Sequence, residues 1–227
     1  MMCMALSDWQ AIVLTFKLAL VTTVLLLLFG GAIAIGLARM RSRFKPLISS
    51  LVALPLVLPP TVMGFYLLLL MSANGPLGAV SEALGFGQLT FSFSGVVIAS
   101  MLYSLPFAVQ PMQQGFEAIS QSQYEWARVL GMSIFQRFIF ITLPQAKKAI
   151  LLSAVMVFAH TLGEFGVVLM VGGNLPGETR VVSIAIYDQV ESLNYSNAHS
   201  LSLFMLAAAF ALLWFVYYLQ NNQRVNR

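Results

Sequence analysis

Residues 122–144 read SQYEWARVLGMSIFQRFIFITLP, the longest stretch of the chain that is helix-patterned without being a membrane-type apolar run. Ser122 with Glu125 three residues on, and Ser133 with Gln136 three residues on, each have the spacing of a capping box, in which a hydroxyl and a side chain at the third helical position satisfy each other's backbone donors. Gly131 stands between the two boxes, where a residue that tolerates positive φ ends one helix and lets the next leave at an angle. Pro144 suits the first turn of a further helix, where its missing N–H costs nothing. The segment therefore predicts a short helix, a glycine corner and a second helix.

On both sides the chain turns apolar. Of its 227 residues 59% are hydrophobic and 9% charged, which excludes an ordinary soluble domain and predicts an all-α polytopic membrane protein. The formal charge of +4 does not point to nucleic acid, because the basic residues gather beside apolar runs, where they act as topology signals. Cys3, the single cysteine, can form neither an intrachain disulfide nor a multi-cysteine metal site.

Five spans are expected, over 18–38, 47–71, 95–112, 149–171 and 201–219, in one permease-like domain, with the helix–corner–helix segment in the loop 114–144. The first run is too long for a signal-peptide core and is read as a retained span. Arg39, Arg41, Arg43 and Lys45 follow it and place that end inside, so the N-terminus is expected outside. The loop 114–144, with Arg128 and Arg137, and the end of the chain, with Arg224 and Arg227, are then inside as well. Lys17 at the outer mouth has two readings, a lysine snorkelling to headgroups or one that attracts an anion. The second run carries Pro55, Pro59 and Pro60 in LPLVLPPTVMG and must be kinked or broken, either as a packing device or to face a cavity. The stretch from Val181 to Leu193 is expected to be a short helix at the outer face, beside Glu178 and Arg180, which form either an exposed ion pair or a contact for another protein.

His160 and Glu164 are four residues apart within the fourth run and are expected on one helical face. A carboxyl group at such depth costs about 2.5–3.5 kcal/mol on insertion scales and needs a partner or a wet cavity. A structural hydrogen bond and a place lining or gating a pathway are both open. Two such residues do not make a metal site, and one ionisable pair is too few for a proton relay, which counts against a gradient-driven carrier. The chain has no P-loop, nucleophile elbow, zinc-protease motif or dinucleotide fingerprint, so it is not expected to be an enzyme or to need a cofactor. Five kinked helices can hardly enclose a hydrophilic path alone, so a symmetric homodimer with the path on its axis is expected.

The hairpin resembles a known family. Glu125, Ala127, Gly131, Ile141, Leu143 and Pro144 match the spacing of the EAA loop, E-A-A-x3-G-x9-I-x-L-P, of membrane subunits of ABC importers, with Trp126 in place of the first alanine. The runs LPLVLPPTVMG, LGEFG and NLPGETR are similar to those of molybdate ABC importer permeases, and related to those for sulfate and tungstate. The resemblance implies a type I importer fold and a homodimer joined to two ATPase subunits and served by an extracytoplasmic oxyanion-binding protein. It also implies that Glu125, Trp126, Ala127, Arg128, Gly131, Leu143 and Pro144 couple the membrane domain to the ATPase. Pro59, Pro60, Gly64, His160, Gly163, Glu164 and Gly166 are the candidates for the hinge or gate.

Overall fold

A computed structural model describes residues 6–225, with side chains from residue 7 to residue 214. The expectations for Cys3, for Arg224 and Arg227, and for the side chains of residues 215–219 fall outside this range.

Every regular element among the described residues is helical. Helix α1 (Leu6–Arg39) runs into the basic cluster, and α2 (Lys45–Ala53) follows, extended by a tight turn over Leu54–Leu56. Next come α3 (Pro60–Met71), the short α4 (Pro76–Ala83) and the long α5 (Phe93–Glu117). The hairpin comprises α6 (Gln121–Val129) and α7 (Ile134–Arg137); α7 passes through a π turn at Phe138–Thr142 into α8 (Leu143–Leu162). Then α9 (Gly166–Gly172), α10 (Val182–Glu191) and α11 (Tyr195–Val225) complete the described chain.

Four of these stretches are long and apolar enough to cross a membrane: Ser7–Arg39, Phe93–Glu117, Ile134–Leu162 and Tyr195–Trp214. The pair Lys45–Leu56 and Pro60–Met71 makes a fifth if the two count as one span, bent by 108°. Prolines cause that bend. Pro59 has extended dihedrals (φ −55°, ψ 139°) and cannot donate a helical hydrogen bond, while Pro60 starts α3 where no donor is needed.

The centre of the bundle is α5, packed between α1 and α8. Leu26, Ala34 and Leu37 of α1 meet Ala108, Val109 and Met112 of α5 and Val157 of α8 in one buried cluster. Gly115 of α5 lies directly on Ala149 of α8, the kind of small-residue contact by which membrane helices approach closely. Ser153 of α8 adds a buried hydrogen bond to the Ala108 carbonyl of α5, 3.0 Å long. At the opposite end from the hairpin, α10 is held against α1 where the Val182 amide donates to Thr15 Oγ1 at 2.8 Å. Large apolar side chains line the outside of the bundle, among them Leu20, Leu28 and Phe29 on α1 and Leu206, Phe210 and Trp214 on α11. Such a belt suits lipid or a second membrane chain.

Several details differ from the sequence-based expectations. Helix α1 starts at Leu6, so it extends well beyond the expected span and encloses Lys17, whose ammonium lies 4.5 Å from the centre of the Phe93 ring. Helix α6 begins at Gln121 with Ser120 at its N-cap, so the Ser122–Glu125 capping box does not form; Glu125 instead accepts from Gln121 Nε2 at 3.2 Å. The Ser133–Gln136 capping box forms in full. Pro144 stands in the first turn of α8, as expected, but α8 is not a fresh start, because the chain runs on helically from Ile134 through the π turn to Leu162. The π turn just before Pro144 supplies the local slack that a residue unable to bond the carbonyl four positions back requires. The fourth apolar run is not one continuous helix either: it breaks after Leu162 and resumes at Gly166.

Candidate functional site

In the hairpin, the sequence places a glycine where the backbone needs one. Gly131 has φ +73° and a Cβ there would meet nothing within 4 Å, so the requirement is conformational rather than a matter of space. It turns the chain between α6 and α7. On α6, Ala127 is 3% exposed while its neighbour Trp126 is 70% exposed. The departure from the family's double alanine thus falls on the side facing away from the protein, where a tryptophan fits, and the alanine that is kept is the buried one. Val129, Leu130, Ile134 and Phe135 are exposed with Trp126, giving the hairpin an apolar outer surface. Phe138 and Ile141, which follow Ile134 at helical spacing, are partly buried. Leu143 and Pro144 are exposed at the foot of α8. Tyr124 of α6 is hydrogen-bonded to Thr142 of the π turn, oxygen to oxygen 2.8 Å, which fastens the two arms together. Arg128 and Glu125 face the inside of the hairpin.

The two breaks in the apolar runs lie against each other. A Cβ built on Gly64 of α3 would stand 2.7 Å from the Cβ of Met170 of α9, and one on Gly166 would stand 2.9 Å from the Cβ of Pro60. Helices α3 and α9 therefore meet at a distance that only glycine allows. Pro60, Gly64 and Gly166, singled out separately, come together in one interface between α3 and α9, and Pro59 immediately precedes it in the chain. Gly163 closes α8 with ordinary helical dihedrals (φ −92°, ψ 0°), and its nearest neighbour to a Cβ is the His160 carbonyl at 3.7 Å. No crowding at this position demands glycine.

Glu164 lies in the second break, outside both helices, so it does not share a helical face with His160 as expected. The break still brings its carboxyl group to 3.5 Å from His160 Nδ1. It is 4% exposed, and its main partners come from the neighbouring helix: Ser100 donates to Oε2, and Ser104 donates to Oε1 at 2.9 Å. Ser104 also lies 2.8 Å from His160 Nδ1, and Ser183 of α10 donates to the Glu164 carbonyl at 2.5 Å. The His160 ring rests between Phe107 and Tyr103, with centroids at 4.3 and 4.9 Å. A buried carboxyl group this deep costs several kcal/mol in desolvation, and hydroxyl donors at both oxygens offset it. The result pins the break to α5. Ser100 and Ser104 were not singled out from the sequence, although their spacing of four in an apolar helix was a legible signal of a shared polar face.

On the far side of the bundle Arg180 pairs with Asp188 at 2.9 Å, not with Glu178, and Asn174 donates to the same carboxylate oxygen at 2.7 Å. The turn at residues 174–180 is thereby tied to α10. Among the described residues no three metal-ligating side chains cluster.

Residues 27–225 match the model of the family described as binding-protein-dependent transport system inner membrane components. The chain is 50% identical over 210 residues to the molybdenum transport system permease protein ModB of Azotobacter vinelandii, covering 92% of this chain and 93% of that protein. The sulfate transport system permease protein CysT of Escherichia coli is more distant, 28% identical over 214 residues that cover 92% of this chain and 77% of that protein. In fold it is similar to a bacterial ABC transporter involved in the import of the acidic polysaccharide alginate, with a TM-score of 0.73 at 18% identity over 96% of this chain and 80% of that one. The expectation of an all-α importer permease, drawn from the hairpin motif, is borne out: the chain belongs to the binding-protein-dependent transport system inner membrane components, multi-pass proteins of the cytoplasmic membrane.

Proposed function

We propose that this chain is the permease subunit of an ATP-driven importer of oxyanions, molybdate first among them. Two copies would form the path, two ATPase subunits would supply the energy, and an extracytoplasmic binding protein would deliver the anion. The half-identical relative named for molybdenum transport supports the substrate. The description of the family supports the binding protein. The absence of any nucleotide-binding motif in the sequence supports a separate ATPase.

One observation carries the mechanism. The helix Ile134–Leu162 runs without a stop from the hairpin corner to the second break, and that break is packed on the first. At about 1.5 Å per residue it is a lever long enough to span the membrane core. In this reading Trp126 and the apolar outer surface of α6 and α7 seat the hairpin on the ATPase. Glu125, Ala127, Arg128 and Gly131 hold its shape, and Leu143 with Pro144 joins it to the lever. ATP-driven movement of the ATPases tilts the hairpin, the lever passes the tilt on, and α3 and α9 shift at Pro59, Pro60, Gly64, Gly163 and Gly166. His160 and Glu164 set the resting position. Because the protein moves between packed arrangements rather than deforming continuously, a small tilt suffices.

The spans carry no dense cluster of basic residues, so no tight anion site would trap the substrate, and selectivity rests with the binding protein. The test is uptake of labelled molybdate into proteoliposomes holding this chain, its ATPase and its binding protein, with sulfate and tungstate as competitors. ATP-dependent uptake that excess sulfate leaves unchanged supports the reading. Uptake independent of ATP contradicts coupling, and uptake blocked equally by sulfate contradicts the substrate.

A further inference from the structure

Under the hairpin, where α1 and α5 end, lies a cavity of about 730 Å³ that the proposed transport cycle does not use. Four arginines line it, Arg39, Arg41, Arg128 and Arg137, against two carboxylates, Glu117 and Glu125. Glu117 is already neutralised, 2.8 Å from Lys45 and accepting from Gln113 at 2.9 Å. Among the described residues none of the four guanidinium groups is in an ion pair. Arg41 donates to the neutral Gln121 amide at 2.6 Å, and Arg39 lies over the Tyr124 ring, 5.5 Å from its centre. The charge left unmatched is thus that of four guanidinium groups facing one carboxylate. The remaining wall is mixed: Ser120, Gln121 and Thr142 stand beside Ile35 and Ala38, which lie in the last turns of α1, and Ile134 at the start of α7.

We infer that this cavity binds the headgroup of an anionic phospholipid. Guanidinium groups match phosphate oxygens in geometry as well as charge, and a basic pocket between helices at the membrane boundary is the form such sites take. The position accounts for a lipid rather than a free ion: the cavity lies where α1 and α5 leave their apolar stretches, and the exposed Ile134 with the half-buried Ile35 and Ala38 offers the glycerol end of the molecule a surface that a dissolved oxyanion has no use for. A headgroup seated there would tie the hairpin to the ends of α1 and α5.

The test is thermal unfolding of the purified full-length chain in detergent, with added phosphatidylglycerol, phosphatidylcholine, or inorganic phosphate or molybdate. Saturating phosphatidylglycerol should raise Tm by about 5 °C and the other three by less than about 1 °C. The shift should be lost in R39Q/R41Q and largely kept in R39K/R41K, which separates charge recognition from damage to the fold. An equal shift with phosphatidylcholine, or an undiminished one in R39Q/R41Q, would overturn the inference. A shift with phosphate or molybdate but none with lipid would overturn it too and assign the cavity to a soluble oxyanion. None of these outcomes depends on transport.

Discussion

Gly166 faces Pro60 so closely that a Cβ on the glycine would stand 2.9 Å from the Cβ of the proline. The contact joins two interruptions from distant parts of the sequence, and it is rigid on both sides, since a proline ring has no rotamer to yield. Gly166→Ala should therefore cost about 1–3 kcal/mol by overpacking and lower molybdate uptake at least tenfold. Gly163→Ala, whose added methyl meets nothing closer than 3.7 Å, should change stability by less than about 0.5 kcal/mol. Thermal unfolding in detergent and uptake in proteoliposomes check both, and equal effects at the two glycines would show that the close contact is not what matters.

Gly64 and Met170 offer a second test of the same interface. Gly64→Ala places two Cβ atoms 2.7 Å apart, whereas pairing it with Met170→Gly removes the obstacle. The single variant should be destabilised, and the pair should recover uptake even though Met170→Gly alone leaves a cavity. Such recovery is a coupling between the two sites of about 1 kcal/mol or more, measurable in a double-mutant cycle.

Glu164 should behave as a structural pin. Removing its carboxyl group with Glu164→Ala takes the acceptor from the buried Ser100, at about 1–3 kcal/mol, while Ser104 keeps His160 Nδ1 at 2.8 Å. Ser100→Ala in the Glu164→Ala background should then cost much less than in the wild type. Additive losses in unfolding experiments would contradict the pairing.

Neighbouring residues on α6 should respond in opposite ways. Trp126→Ala, on the exposed side, should leave Tm within about 1 °C and weaken binding of the ATPase subunit by about 2 kcal/mol or more, a thirtyfold change. Ala127→Leu, on the buried side, should destabilise the chain itself. Calorimetric titration of ATPase into detergent-solubilised permease distinguishes the two.

Sequence reading reached the hairpin because its determinants are local. A hydroxyl three residues from an amide at Ser133 and Gln136, and a glycine at the corner, depend on nothing distant. Prolines likewise announced the break at Pro59. The second break was only partly legible: Gly163 and Gly166 of LGEFG were hinge candidates through the family resemblance, yet residues 149–171 read as one apolar span, and the stop at Leu162 did not show in that pattern. Hidden too were the partners of Glu164, which lie 60 and 64 residues away on another helix. Ser122 with Glu125 shows the reverse error: a correct local spacing lost to a start two residues earlier, with Ser120 rather than Ser122 at the N-cap. The π turn at Phe138–Thr142 left no sequence signal beyond the proline that follows it.

In the proposed cycle the hairpin drives the breaks through one continuous helix, and Gly131 is the corner on which that drive depends. Its φ of +73° is reached easily by glycine, tolerably by asparagine and at a cost of about 1–2 kcal/mol or more by a β-branched residue. Uptake of labelled molybdate and hydrolysis of ATP should be measured together in proteoliposomes carrying Gly131→Val, Gly131→Asn and wild type. The valine variant should still support hydrolysis while uptake per ATP falls at least tenfold, and the asparagine variant should stay near wild type. An unchanged ratio in Gly131→Val would contradict this coupling.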